Sequence, residues 1–349
     1  MATGEKSEGG GLSRRELLRA GTAGAVGLAA AGGSVAMVRP NPADTQDRQI
    51  VRGGQEHVHV MGTSGDIDTS LYDPAVHLES FDRGRTSPLP DGRTLREYEI
   101  TAVDRTIEVA PGVHFDAWTY NGTVPGPTLR CTEGDRLRVN FTNSGSHPHT
   151  IHFHGIHAGN MDGVFEVVDP GDTFLYEFDA LPAGVQLYHC HAAPLKRHIH
   201  KGLYGGFIID PRDRVLEPAR ELVMVMNGFD TNYDGENEVY AVNSVAFHFQ
   251  RHPIQLRVGE LVRIYLFNMT EFDLVNSIHV HGTFFKYWRT GTRPDHYDYT
   301  DTVLLCQGER GVIEMTFEHP GLFMFHAHQS EFAELGWMGL FEVRGETVG

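Results

Sequence analysis

The chain has 349 residues, a formal net charge of -17, 40% hydrophobic residues, 40 glycines and 17 prolines. That charge excludes nucleic acid and an anionic membrane surface as partners, and three cysteines, an odd number, exclude a disulfide framework. The length suits two domains after an N-terminal appendage, and the glycine and proline content suits a turn-rich β protein.

Residues 13–19 read Ser-Arg-Arg-Glu-Leu-Leu-Arg and precede a run of small apolar residues ending near Met37. Paired arginines ahead of a weakly hydrophobic Ala/Gly stretch predict a twin-arginine export signal over 1–38, hence a periplasmic, cell-surface or secreted protein. Gly21, Gly24, Gly27, Gly32 and Gly33 leave the run too weakly apolar to span a membrane. Residues 39–95, rich in Pro, Gly, Asp and Arg, predict an irregular arm across the surface or a neighbouring subunit. His57 and His59, which lie in it, read as solvated.

Alternation of apolar and polar residues begins near residue 96, with turn signals about every ten residues, as in a β-sandwich. Strands are predicted at 98–109, 136–141 and 173–178, and the polar link after Asp210-Pro211 opens a second, similar unit. An internal repeat supports this division. Residues 134–141 (Gly-Asp-Arg-Leu-Arg-Val-Asn-Phe) lead to His152-Phe153-His154-Gly155, as residues 259–266 (Gly-Glu-Leu-Val-Arg-Ile-Tyr-Leu) lead to His279-Val280-His281-Gly282.

The chemistry lies in four His-x-His pairs: His152/His154, His189/His191, His279/His281 and His326/His328. Short windows around them, 29 residues in all, hold 13 of the 21 histidines. Spacing of two along a strand puts both imidazoles on one face. Cys190 stands between His189 and His191, so it points to the opposite face, and one strand can touch two metal centres. A thiolate among imidazoles is a donor set that copper selects. The second repeat has Ala327 where the first has Cys190, so only the first can build a cysteine-containing site.

These motifs, above all His189-Cys190-His191 followed by His198 and Gly202-Leu203, resemble those of two-domain, laccase-like multicopper oxidases, with copper nitrite reductases as relatives of the same layout. The resemblance covers about residues 96–345. It implies an all-β fold of two cupredoxin-like (Greek-key) sandwiches, 96–212 and 213–349, assembled as a homotrimer. It implies a type 1 copper on His149, Cys190 and His198, and a type 2 copper on His152 and His279. The type 3 pair would take His154, His189, His191, His281, His326 and His328, making about four coppers per chain. The implied partners are O2 and a small-molecule electron donor, phenolic or similar. The first domain offers four cluster histidines and the second four, so the cluster needs both; closure between subunits is the expectation and closure within one chain the alternative.

Asp162, in Gly159-Asn160-Met161-Asp162-Gly163, resembles the outer-shell acid of small laccases, a catalytic proton source; a plain turn aspartate is the competing reading. Glu331 and Glu334 are weaker candidates. His147, His157 and His200 read as hydrogen-bonded or exposed neighbours of the ligands, and Cys131 and Cys306 as packed thiols. Leu203, at the usual axial position, cannot coordinate, which favours Cu(I) and predicts a raised reduction potential. The rival functions are nitrite reduction, which needs one type 2 copper on three histidines with an acid where His152 stands, and a copper-storage or electron-carrying module, which needs no four pairs.

Overall fold

A computed structural model describes residues 65–345. The export signal, His57 and His59 fall outside the described residues.

Two β-sandwiches follow one another. In the first, one sheet orders Arg85–Pro88, Thr94–Ala110, Arg136–Asn143 and Thr173–Asp179, with Val113–Tyr120 also paired to Thr94–Ala110. The facing sheet orders Leu129–Thr132, Tyr204–Asp210, Gly184–His189 and His152–Phe153. The three predicted strands are present with slightly wider bounds. Arg136–Asn143 explains why: every second residue of it is buried, the period that a sheet with one solvated face imposes.

The second sandwich sets Val239–Val242, Arg220–Phe229, Val262–Asn268, Arg310–Met315, Phe285–Arg289 and Asp298–Thr300 against a second sheet. That sheet orders Ile254–Arg257, Met338–Arg344, Gly321–His326, Val275–Val280 and Thr302–Cys306. Both sandwiches use the same parallel pairings. Thr94–Ala110 runs parallel to Arg136–Asn143 as Arg220–Phe229 does to Val262–Asn268, and Leu129–Thr132 pairs with Tyr204–Asp210 as Ile254–Arg257 does with Met338–Arg344. Parallel neighbours need crossovers, so the sequence repeat is a repeat of topology.

The strand Gly184–His189 belongs to two cores at once. Val185 and Leu187 pack with Val223, Val225 and Phe267 of the second sandwich, while Tyr188 and Cys190 face the core of the first. The same alternation therefore sends His189 and Cys190 to different sides. At the junction Arg130, 5% exposed, reaches Asp210 at 2.8 Å and Glu221 at 2.7 Å. Removing either carboxylate would leave a buried charge half paired.

From residue 65 onward the arm is more ordered than its composition predicts. It carries a short helix, Pro74–Leu78, capped by the Asp73 carboxylate, and the strand Arg85–Pro88, joined to Thr94–Ala110 through the Asp91-Gly92 turn. The turn residues that suggest a loop form the corner of a hairpin. Leu78 is buried in the core of the second sandwich, which ties the arm to that domain. Among the described residues no helix is long and apolar enough to cross a membrane.

Candidate metal centres

His149, Cys190 and His198 converge inside the first sandwich, exposed by 0%, 0% and 3%. The Cys190 sulfur lies 3.2 Å from His198 Nδ1 and 4.0 Å from His149 Nδ1, and the two nitrogens are 3.2 Å apart. Bonds of about 2.0–2.3 Å to a central ion would put donor atoms at such separations. Burial pulls both imidazoles down to about 4, so their lone pairs are free at neutral pH. Burial also pushes the Cys190 thiol up; an ion would have to displace its proton. Leu203, 0% exposed, packs in the same apolar cluster as Cys190. Trp118 closes the site, its ring centroid 5.3 Å from that of His149 and 4.8 Å from that of His198.

On the other side of residue 190 lies a histidine quartet. His152 and His189 are direct partners across a strand pair. His154 Nε2 and His189 Nε2 are 3.2 Å apart, and the His191 ring lies 5.5 Å from that of His152. The second sandwich repeats this arrangement. His279 and His326 are strand partners, His281 Nε2 and His326 Nε2 are 3.1 Å apart, and the His328 ring lies 5.5 Å from that of His279.

The supports are duplicated too. His189 Nδ1 meets the Cys190 carbonyl at 2.9 Å, and His326 Nδ1 meets the Ala327 carbonyl at 2.7 Å. His152 Nδ1 meets the Asp162 carbonyl at 2.7 Å, and His279 Nδ1 meets the Asp301 carbonyl at 2.9 Å. A carbonyl can only accept, so it fixes the proton on Nδ1 and leaves Nε2 as a lone-pair donor for a metal. The His191 amide donates to Thr150 Oγ1 at 2.9 Å, and the His328 amide to Ser277 Oγ at 2.8 Å. Thr150 also donates its amide to the Cys190 sulfur at 3.3 Å, so one residue braces both centres.

All eleven predicted ligands thus fall into three groups: one site of three and two quartets. The Asp162 carboxylate stands 3.3 Å from His152 Nδ1. His157 Nε2 donates to the Phe153 carbonyl at 2.8 Å and lies 3.8 Å from Asp162 Oδ1; the first contact makes it a support, not a ligand of the buried site. His200 accepts from the Asp230 amide at 3.2 Å, and His147 packs at a tilt against Trp118 with ring centroids 4.4 Å apart. Glu331 and Glu334 sit on the short helix Ser330–Glu334 just after His328. Cys131 is a packed thiol, but Cys306 is exposed: it ends the edge strand Thr302–Cys306 on its solvent face, so packing does not explain it. Sequence reading missed Thr150, Ser277, Trp118 and Asp301. The repeat could have found Ser277, two residues before His279 as Thr150 is before His152.

Family models described as multicopper oxidase match residues 101–214 and 217–346. A solved structure of a multicopper oxidase is 54% identical, with a TM-score of 0.79, over 80% of this chain and 100% of that one. A copper nitrite reductase structure from Nitrosomonas europaea is 26% identical, with a TM-score of 0.67, over 72% of this chain and 95% of that one. The copper-containing nitrite reductase of Neisseria meningitidis serogroup A is 28% identical over 71% of this chain and 69% of its own length.

Proposed function

The chain belongs to the multicopper oxidase family, and on that premise we propose that it oxidises a phenolic or similar donor one electron at a time and reduces O2 to water. Copper, when bound, supplies one-electron uptake at His149, Cys190 and His198 and four-electron reduction of dioxygen where the quartets meet. The observation that carries this reading is the pair of equal quartets, eight histidines whose rings are gathered into two groups. Nitrite reduction is the second reading, favoured by the nitrite reductase relatives. A single three-histidine copper would leave most of the eight without a task, and His152 stands where that chemistry wants an acid.

Counting metal decides between them. About four coppers per chain, with O2 uptake driven by a phenol and no response to nitrite, is the expected result. Two coppers with nitrite-dependent nitric oxide release would overturn it. Export by the twin-arginine route belongs to the same proposal, since that route carries folded proteins and suits one loaded with metal beforehand.

The two quartets of one chain share no ring contact or hydrogen bond among the described residues. Each has apolar side chains open to solvent close by: Ile156 at 65%, two residues after His154, and, at the second, Phe284 at 51%, lining one pocket with His279 and His281, with Tyr299 at 68% packed on it. Exposed apolar groups around half a site favour a protein interface. We therefore assign the first quartet of one copy to meet the second quartet of the next, three copies closing a ring by head-to-tail contacts.

Within this scheme Thr150 holds the Cys190 sulfur and the His191 backbone in fixed relation, so the electron path from buried site to quartet is one residue long. The Asp162 carboxylate, 33% exposed and 3.3 Å from His152 Nδ1, touches both water and the quartet and is placed to relay protons between them. Asp162→Asn is expected to lower kcat about 10–100-fold, the range for partners that orient ligands, with copper content and visible spectrum unchanged. An unaltered kcat would remove Asp162 from the proton path.

A further inference from the structure

Outside the three groups already described, two histidines and a carboxylate meet where the arm crosses the second sandwich. We propose that Asp66, His248 and His252 bind a divalent ion of the zinc class, which clasps the arm to that sandwich. One donor atom from each lies within 4.8 Å of the others. His248 and His252 are four apart on the single turn that opens at His248–Arg251 and is continued by the His252 amide donating to the His248 carbonyl at 2.8 Å. That spacing stacks both imidazoles on one face, with ring centroids 4.9 Å apart. Asp66 comes from 186 residues away, its Oδ2 2.5 Å from His252 Nε2.

The independent observation is His248 itself. It is 3% exposed, and neither ring nitrogen has a hydrogen-bond partner. Buried polar side chains nearly always find one, and here the groups in reach are two further metal donors. Burial pulls the His248 imidazole down to about 4, so it stays neutral, with a free lone pair, at neutral pH. Two imidazoles and one carboxylate make a borderline donor set without thiolate, and leave a fourth tetrahedral position for water.

Neighbouring charges allow the site. Arg251 is the cation facing Asp66, its Nε 3.8 Å from Oδ1, but its Nη2 is drawn away to the Ala246 carbonyl at 3.1 Å. On His248 the negative fields of Asp73 and Asp66 oppose the positive field of Arg251. The 2.5 Å contact between Asp66 and His252 must open toward the roughly 3.3 Å that two donors at about 2 Å from an ion require. Asp66, with its side chain 46% exposed on the arm, is free to swing by that amount.

The test uses untagged, copper-loaded full-length chain, titrated with Zn2+ and separately with Co2+. One equivalent of zinc beyond the copper is expected, with no loss of visible colour, and four-coordinate Co2+ bands. Asp66→Asn and His252→Gln should each weaken zinc binding at least about tenfold while copper content and oxidase turnover stay unchanged. Zinc should also slow proteolysis between Asp66 and the helix Pro74–Leu78 in the parent chain and not in Asp66→Asn. His248→Ala would open a buried position and could unfold the turn for that reason alone, so the decisive variant is Asp66→Asn, at a partly exposed position. Equal zinc uptake by parent and both variants would overturn the proposal, as would zinc that enters only by displacing copper.

Discussion

Cys190→Ser is expected to give a folded, colourless protein that keeps three of about four coppers and loses turnover with every donor by more than 100-fold, beyond the range that outer partners produce. A serine hydroxyl is a hard donor that keeps its proton at neutral pH, whereas the soft thiolate is what draws copper to this site. The fold should survive, because the buried hydroxyl inherits the Thr150 amide, which now donates to the Cys190 sulfur at 3.3 Å. A hydrogen bond of this kind offsets most of the roughly 1–3 kcal/mol that an unpaired buried polar group costs. The quartet histidines leave the strand on its other face, so their copper is untouched. Visible spectrum, copper content and O2 uptake, measured together, test this; Cys306→Ser, at an exposed position outside the three ligand groups described above, is the control. Undiminished turnover in the serine variant would mean that electrons enter elsewhere.

What the sequence makes legible is what strand geometry forces. Two histidines separated by one residue share a face, and the repeat brings two such pairs together in each sandwich; His152 opposite His189 and His279 opposite His326 are that expectation in register. Cys190 reads from sequence as a strand residue, yet the strand ends at His189, and the Cys190 amide is held beyond it by donating to the Leu203 carbonyl at 2.9 Å. Supports made by main-chain carbonyls have no sequence signature. Asp301 serves His279 through its backbone, 22 residues downstream, where Asp162 serves His152 after ten. The clasp at His248 is equally hidden, since one helical turn, entered through Phe247 at φ 57°, is too short to carry a period.

The inter-subunit arrangement predicts that two inactive proteins will rescue each other. His152→Ala spoils the first quartet and leaves the second intact; His281→Ala does the reverse. Both positions are partly or fully open to solvent, so neither change should leave a buried cavity, and each variant alone should have negligible O2 uptake with normal colour. Co-expressed in equal amounts, the two chains would assort at random around a three-membered ring. A contact is whole when the His281→Ala chain supplies its first quartet and the His152→Ala chain its second, which holds for about a quarter of contacts in a ring of this symmetry. Every such contact also keeps its electron path, because the chain with the intact first quartet carries its own Cys190. O2 uptake near a quarter of the parent's is therefore expected. If each cluster instead closed within one chain, every cluster in the mixture would contain a broken quartet, and co-expression would restore nothing.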